Sequence, residues 1–200
     1  MGLTAGSTGR GAADKGLFIQ REDGDKVIAL AGNPNVGKST VFNELTGLNQ
    51  HTGNWPGKTV TNAQGHYTHK GMHTILVDIP GTYSLMAHSA EEEVARDFIC
   101  FGGADGVVVV CDATCLERNL NLVLQTMEIT DRVVVCVNLM DEAKKKNIRI
   151  DFDQLAENLG VPVVGASARS RKGLDELMDT AARVVAGEKT HPTKIRYTKP

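Results

Sequence analysis

The chain has 200 residues, of which 41% are hydrophobic and 23% are charged, and its formal net charge is −2. This composition is sufficient for one domain with a sizeable core, and the balanced charge argues against nucleic acid as the main ligand. No apolar run approaches the roughly 18 residues that span a bilayer, so the polypeptide is expected to be soluble. Its glycine-rich first part, residues 1–25, is predicted to be a flexible extension.

The extension is followed by a predicted strand, a glycine-rich loop and a helix. The strand is KVIALAG, residues 26–32, which is apolar and β-branched and ends in glycine. In STVFNELTG, residues 39–47, apolar residues recur at helical spacing and Gly47 is a suitable C-terminal cap. The next stretch, LNQHTGNWPGKTV, is rich in Gly, Asn and Pro and is predicted to be irregular.

Two strand-like segments then predict a hairpin. They are TVTNAQGHYTH and HTILVDI, and a turn at Lys70 and Gly71 joins them. Strand-like GVVVVCDA, VVVCVNL and VPVVGAS follow, and they alternate with helical patterns near residues 91–101, 117–129, 152–159 and 173–186. This alternation predicts an α/β fold with a parallel sheet and helices on both of its faces. The last residues, 189–200, are polar and basic and are predicted to be a linker.

The loop GNPNVGKST has the spacing of a phosphate-binding loop. Its glycines permit a backbone whose N–H groups point at a phosphate chain, at the start of a helix whose dipole also favours anions. Lys38 is expected to reach the β- and γ-phosphates, and the Ser39 hydroxyl is expected to bind Mg²⁺. The predicted nucleotide-binding residues of the loop are Gly32, Asn33, Pro34, Asn35, Val36, Gly37, Lys38, Ser39 and Thr40. A plain glycine turn with a surface lysine is disfavoured by the position of the loop between a strand and a helix.

The segment DIPG, residues 78–81, stands at the end of a predicted strand. Asp78 in that position can hold Mg²⁺ through water, and Gly81 leaves its N–H free to approach a γ-phosphate. Asp-X-Pro-Gly is also an ordinary turn sequence. Its order after the phosphate loop and the hairpin favours the functional interpretation.

The segment NLMD, residues 138–141, predicts a site for a guanine base. The Asp141 carboxylate can accept two hydrogen bonds from guanine N1–H and the exocyclic amino group, a pattern that adenine does not present. Asn138 belongs to the same motif, whose usual form is Asn-Lys-X-Asp; here Leu139 replaces the lysine and can pack on the base without bringing a charge. A strand end with incidental polar residues is the alternative. The last guanine motif is matched by Ser167, Ala168 and Arg169, and a backbone N–H of this motif would donate a hydrogen bond to the base oxygen.

The sequence offers two possible metal sites, and neither is favoured. Cys111 and Cys115 suggest zinc, but no second pair of ligands stands at a matching distance, so packing in the core is the better interpretation. His66, His69 and His73 suggest iron, but strand alternation puts His66 and His69 on opposite faces and no carboxylate accompanies them. A solvated hairpin is therefore preferred.

Taken together and in this order, the motifs resemble those of the translation-factor-related P-loop GTPases. Within that class the chain resembles the G domain of the ferrous-iron transporter B (FeoB) family, through GNPNVGKST, NWPGKTV, DIPGTYSL, LERNLNL, the lysine-less NLMD and NIRID. The resemblance covers about residues 26–188. It implies a P-loop GTPase domain whose mixed, mostly parallel sheet has six strands, one of them an antiparallel edge strand.

The same resemblance implies roles for the two switch segments. Thr59 would be the first-switch threonine that closes on Mg²⁺ when GTP is bound, Gly57 beside it would also bind nucleotide, and DIPGTYSL would be the second switch. The implied Mg²⁺ ligands are Ser39, Thr59 and Asp78. The residues predicted to be catalytic are Asn35, Lys38, Thr59 and Gly81.

The resemblance also implies a potassium ion. Thr82 occupies the place of the glutamine that orients water in Ras-like GTPases, and neither the phosphate loop nor NWPG contains an arginine. In potassium-activated GTPases an asparagine at the loop position of Asn35 binds K⁺ together with first-switch carbonyls, which here would be those of Gly53 and Trp55. Alternatively, Asn35 braces the loop by hydrogen bonds, and Trp55 is either a reporter of bound nucleotide or an apolar anchor.

On this resemblance the chain is expected to be a slow, potassium-stimulated GTPase that binds GTP and GDP and regulates ferrous iron transport at the cytoplasmic face of the inner or plasma membrane. It would be a fragment, and its partners would be the helical and transmembrane regions of the same longer protein. Two alternatives are an RNA- or ribosome-binding GTPase and a nucleotide switch with negligible hydrolysis. The first predicts a basic module, and a turnover assay separates the second. The oligomeric state is left open.

Overall fold

The computed structural model describes residues 19, 21–47 and 50–194, and strands alternate with helices along them. The strands are β1 (Lys26–Gly32), β2 (Gln50–Asn54), β3 (Thr61–His69), β4 (Met72–Asp78), β5 (Gly106–Asp112), β6 (Val133–Asn138) and β7 (Val163–Gly165). The helices are α1 (Lys38–Thr46), α2 (Ala90–Phe101), α3 (Leu116–Ile129), α4 (Met140–Lys145), α5 (Phe152–Leu159) and α6 (Leu174–Val185). The predicted α/β fold class is confirmed.

The strands form one sheet in the order β2-β3-β4-β1-β5-β6-β7. β1 pairs in parallel with β4 and β5, and the parallel ladder continues through β6 to β7. β3 is antiparallel to both of its neighbours. The carboxyl ends of β1, β4, β5 and β6 therefore meet at one edge of the sheet, where loops commonly bind ligands in open α/β folds.

The expected number of six strands is wrong, because residues 50–54 add a seventh. These residues lie in the stretch that was predicted to be irregular, and they pair with β3 through the backbone, for example Thr52 with Ala63. All but the first of them are exposed. A strand at the edge of a sheet needs only backbone partners on one side, so its sequence carries no apolar alternation. As a result the antiparallel strand β3 is second from the edge.

The hairpin between β3 and β4 has the predicted turn. Lys70 and Gly71 have φ angles of 49° and 81°, and His69 pairs with Met72 on either side of them. A two-residue turn with two positive φ angles suits the right-handed twist of the flanking strands.

Two apolar clusters cover the two faces of the sheet, so the predicted placement of helices is also confirmed. Helices α2, α3 and α5 pack on one face and α1 and α6 on the other. Cys111 and Cys136 are buried, one in each cluster. Burial raises the pKa of the Cys136 thiol to about 12, which suits a small apolar core residue. Among the described residues, no helix combines the length and the apolar character that crossing a membrane requires.

Both ends of the described chain are bonded to the domain. Arg21 forms an ion pair with Asp105 at 2.5 Å, and buried Asp25 accepts a hydrogen bond from the His73 ring at 2.7 Å. The prediction of a flexible extension falls mainly on residues 1–18 and 20, which lie outside the described residues. We call residues 190–194 the C-terminal strap; in it the backbone N–H of His191 donates to the Gly160 carbonyl at 3.0 Å.

Candidate nucleotide-binding site

The phosphate loop connects β1 to α1 with its backbone in unusual conformations. Asn35 and Gly37 have φ angles of 67° and 83°, and Gly37 precedes the first residue of α1, Lys38. A Cβ atom at Gly37 would lie 2.4 Å from Nδ2 of Asn138, and one at Gly32 would lie 2.7 Å from the Val110 carbonyl oxygen. Only glycine fits both positions, so α1 begins with exposed backbone N–H groups suited to an anion.

Asn138 joins the phosphate loop to the loop after β7. Its side chain is 1% exposed; Nδ2 donates to the Val36 carbonyl at 3.1 Å, and Oδ1 accepts from the Ala168 N–H at 3.0 Å. The residue at the end of β6 therefore fixes two loops that come from distant parts of the sequence. Two of the predicted subsites, one for phosphate and one for base, are held in one frame by this single side chain.

The base subsite brings NLMD and SAR together. Ser167 Oγ accepts a hydrogen bond from the Asp141 backbone N–H at 3.1 Å, and Met140 N–H donates to the Ala166 carbonyl at 3.1 Å. Leu139 adopts a left-handed conformation with φ of 63°, directly before α4. Asp141 and Arg169 are exposed. Helix α4 was not predicted, and it places Asp141 in its first turn.

Lys38 and Asp78 form an ion pair at the centre of the site. Nζ of Lys38 donates to Oδ1 of Asp78, and the two side chains are 9% and 15% exposed. The sequence assigns the first to phosphate and the second to Mg²⁺. In this structure each side chain neutralises the other's charge. The pairing matters because burying either ion without a partner would cost free energy of folding.

Two cavities adjoin this pair. One, of about 510 Å³, is lined by Asn33, Pro34, Asn35, Gly37, Lys38, Ser39, Thr40 and Gly81. The other, of about 540 Å³, is lined by residues of β2, β3 and the end of β4, including Gly53, Asp78 and Gly81. Most of the predicted phosphate-loop residues thus share a cavity with Gly81. Gly57, Thr59 and Trp55 line neither cavity.

The predicted first switch forms a turn that packs away from the phosphate loop. The Trp55 N–H donates to the Val60 carbonyl at 2.8 Å, and the Trp55 carbonyl accepts from Lys58 N–H at 3.0 Å. The Trp55 ring is 7% exposed and meets the Phe98 ring of α2 edge-on at a centroid distance of 5.2 Å. Trp55 is therefore an apolar anchor in this structure, and Thr59 is exposed.

The predicted second switch begins against the phosphate loop and continues onto α3. Thr82 N–H donates to the Gly32 carbonyl at 3.1 Å. The Tyr83 ring lies under the Arg118 guanidinium at 4.6 Å, its carbonyl accepts from Asn121 at 3.4 Å, and Leu85 N–H donates to Gln125 at 2.6 Å. No role was predicted for these three α3 residues, Arg118, Asn121 and Gln125. The phrase LERNLNL contained two of them and was the available signal.

The three hairpin histidines do not come together. His66 stacks on His73 with ring centroids 5.3 Å apart, whereas His69 binds Asp179 of α6 at 2.8 Å on the opposite face of the sheet. The predicted separation of His66 and His69 is confirmed, but the expectation that no carboxylate accompanies these histidines is wrong. Asp179 binds His69, and buried Asp25 binds His73 at 2.7 Å, because the fold brings both carboxylates from distant parts of the sequence. Within the described ranges, no group of three or more His, Cys, Asp or Glu side chains is placed to hold a metal ion.

Comparison with known sequences identifies the family. The family model of ferrous iron transport protein B matches residues 26–181. The Fe(2+) transporter FeoB of Escherichia coli (strain K12) is 41% identical over 177 residues, which cover 86% of this chain and 23% of the transporter. The FeoB of Salmonella typhimurium is 44% identical over 154 residues, covering 75% of this chain and 20% of that protein. The chain thus spans less than a quarter of the length of these relatives.

Solved structures agree with this match. The G domain of the T. maritima FeoB iron transporter has a TM-score of 0.76 at 42% identity, covering 80% of this chain and 98% of that chain. The cytosolic domain of the same transporter in its GMPPNP form has a TM-score of 0.83 at 40% identity, with coverages of 87% and 69%. The FeoB G-domain of Methanococcus jannaschii has a TM-score of 0.72 at 44% identity, with coverages of 81% and 98%. The chain therefore belongs to the ferrous iron transport protein B (FeoB) family and corresponds to the G domain, the P-loop GTPase part, of that family.

Proposed function

We propose that this chain binds GTP with Mg²⁺ and hydrolyses it to GDP and phosphate. The observation that carries the proposal is the bridge made by Asn138, which joins the phosphate loop at Val36 to the guanine motif at Ala168. A nucleotide is the ligand that needs an anion site and a base site at a fixed separation. The T. maritima relative has been solved in GDP and GMPPNP forms, which supports the same ligand class here.

Binding requires an exchange of partners at the central ion pair. Lys38 leaves Asp78 and binds phosphate oxygens, and the loop N–H groups before α1 bind the same phosphates. Asp78 is then free to hold Mg²⁺ through water, together with the hydroxyls of Ser39 and Thr59; these are the hard oxygen donors that Mg²⁺ takes. Bound Mg²⁺ would supply positive charge against the β- and γ-phosphates. Because Thr59 is exposed and outside both cavities, the turn from Trp55 to Val60 has to move toward the phosphates.

Guanine is the proposed base because of Asp141. Its carboxylate is exposed at the start of α4, beside Ser167, and can accept the two hydrogen bonds that guanine offers. Leu139 lies next to Gly37 and offers an apolar surface to the base in place of a lysine stem.

Potassium is the proposed source of additional positive charge in the transition state. Thr82 is 5% exposed and its N–H is engaged with Gly32, so it does not reach a γ-phosphate as glutamine does in Ras-like enzymes. Asn35 is exposed and its side chain forms no hydrogen bond with the described part of the chain, so its amide oxygen is available to a cation. The Gly53 and Trp55 carbonyls would complete the site only when the first switch closes, because the Trp55 carbonyl now accepts from Lys58.

The test is steady-state phosphate release from GTP in matched potassium and sodium chloride, for the natural chain and Asn35→Ala. We expect slow turnover that rises by about tenfold or more in potassium, an acceleration that Asn35→Ala abolishes; removing one preorganised charge-stabilising group typically costs about 10²–10³ in rate. Equal rates in both salts would contradict the potassium site. Binding of GDP without any turnover would favour a nucleotide switch.

The setting in the longer protein is proposed from the relatives. The E. coli and Salmonella proteins are Fe(2+) transporters, and the T. maritima structures are of a cytosolic domain. We infer that this G domain lies on the cytoplasmic side and regulates transport of Fe²⁺ through its nucleotide cycle, by ordering and releasing the two switches toward helical and membrane regions of the same protein.

A further inference from the structure

Asn33 is a buried amide of the phosphate loop without a partner. It is 3% exposed, and neither its Oδ1 nor its Nδ2 has a hydrogen-bond partner among the residues that the structure describes. Leaving such a group unpaired costs about 1–3 kcal/mol, and buried side-chain amides are paired in the large majority of cases. An unpaired amide that lines the cavity of a functional site points to a partner gained in another state of that site.

The second switch is the neighbouring segment that changes position in such a cycle. Gly81 shares the cavity with Asn33, and the backbone of Pro34 lies 3.4 Å from where a Cβ of Gly81 would stand. Thr82 N–H is bonded to the carbonyl of Gly32. The residues on either side of Asn33 therefore already touch the start of the second switch, while the Asn33 amide does not bind it.

We propose that the Asn33 side chain is a positioning residue that binds the backbone of residues 81–83 when the second switch closes on a γ-phosphate. A carboxamide offers one acceptor and one donor side by side, so it can accept from one backbone N–H and donate to one backbone carbonyl of the same segment. This pairing holds the Gly81 N–H toward the γ-phosphate, so it favours the triphosphate form over the diphosphate form. The inference rests on the proposed GTP binding and adds a residue that distinguishes the two nucleotides.

The test compares Asn33→Leu with a matched control, Thr74→Val. Both changes replace a buried, unpaired polar side chain by an apolar one with the same branching, and Thr74 is 0% exposed at the far end of β4 from the site. For each variant the affinities for GDP and for a non-hydrolysable GTP analogue are measured, with kcat and KM for GTP and the urea midpoint. Asn33→Ala is a second variant, in case leucine is not accommodated.

Asn33→Leu is expected to lower the affinity for the GTP analogue by about 3- to 10-fold, as the loss of one net hydrogen bond does. The affinity for GDP should change by less than about twofold. Because the contact is already made when GTP is bound, the loss should appear in KM for GTP more than in kcat, and the urea midpoint should not fall. Thr74→Val should change the affinity for neither nucleotide. An equal loss of affinity for both nucleotides in Asn33→Leu, or no change in either affinity, would overturn the proposal. Failure of the natural chain to bind GDP would instead refute the proposed function.

Discussion

The two polar residues of NLMD occupy opposite environments at the scale of the single residue. Asn138 is 1% exposed and holds two loops, whereas Asp141 is exposed and its backbone N–H is bonded to Ser167. A change at Asn138 would disturb the frame of the site, while a change at Asp141 should alter the ligand and leave the fold intact. Asp141 is therefore the informative position for testing base selection.

Asp141→Asn is expected to reduce GTP affinity by about 10- to 100-fold, because a hydrogen bond to a charged group contributes about 1.5–3 kcal/mol. It should raise affinity for XTP, whose carbonyl replaces the guanine amino group and can accept from the new amide. Competition against a fluorescent GDP measures both. Glu142→Gln removes the same charge one residue away and should not change base preference. If Asp141→Asn still prefers GTP to XTP, another group selects the base.

The residue types of the site were predictable from sequence, and most of their contacts were not. GNPNVGKST and NLMD indicated phosphate and base subsites because each motif is local in the chain. The partners of Asn138, however, lie 102 and 30 positions away, and the ion pair between Lys38 and Asp78 joins residues 40 positions apart. Such pairs follow from the order of strands in the sheet, which local spacing does not encode.

Among the secondary-structure elements, the β3–β4 hairpin is bonded to the segment before β1 through one buried carboxylate, that of Asp25. Hydrogen bonds from the Glu22 N–H and the His73 ring lower the pKa of Asp25 below its ordinary value. A carboxyl whose pKa is lowered by folding stabilises the folded state above its unfolded pKa of about 3.9, and this contribution is lost as the pH falls through the folded value. Asp25 is thus expected to tie the hairpin to the domain at neutral pH.

Asp25→Asn should lower the urea midpoint at pH 7, and the difference from the natural chain should shrink below pH 4 and close as Asp25 is protonated. Urea unfolding at pH 7, 5, 4 and 3, followed by circular dichroism, measures this. Asp23→Asn changes an exposed neighbouring carboxylate and should have little effect at any pH. A difference that stays constant down to pH 3 would show that the ionised carboxylate is not responsible.

The elements that sequence analysis located are those with internal patterns. Apolar runs marked the buried strands, and recurring apolar residues marked five of the described helices, α1, α2, α3, α5 and α6. Strand β2 and the contacts of Arg118 and Asn121 with the second switch were missed, since the former is stabilised by backbone pairing and the latter by packing across elements. Neither leaves a periodic signal along the chain.

In the whole molecule, the nucleotide site and the two ends of the described chain, residues 21–25 and 190–194, lie at opposite ends of the parallel strands. The phosphate loop, Asp78 and Asn138 stand at carboxyl ends of strands. The C-terminal strap binds Asp131 and Gly160, which precede β6 and β7 at their amino ends. The strap is therefore anchored away from the nucleotide site.

Gly160→Ala should destabilise the domain while leaving GTP affinity unchanged. Gly160 has φ of 72°, and a Cβ there would lie 1.8 Å from the His191 carbonyl oxygen, so the strap must shift. Gly103→Ala is the matched control, because it has φ of 78° and open space around the added Cβ. Each change costs about 1–2 kcal/mol in backbone strain. The additional loss in free energy of unfolding in Gly160→Ala, measured by urea unfolding, is the contribution of the strap to stability. Equal losses would show that the strap adds nothing to stability.

The edge strand β2 is the part of the sheet that opens most easily. It is bonded to β3 alone and buries almost none of its side chains, so separating it exposes little apolar surface. Such a strand opens locally at a free energy far below that of global unfolding, and its amide hydrogens exchange with solvent early. Of the two proposed first-switch carbonyls, that of Gly53 lies in β2 and that of Trp55 directly follows it, whereas β1 and β4 lie further inside the sheet. The domain therefore has an easily opened edge strand beside rigid central strands. In the proposed cycle, the first switch can move inward while the phosphate loop at the end of β1 keeps its shape.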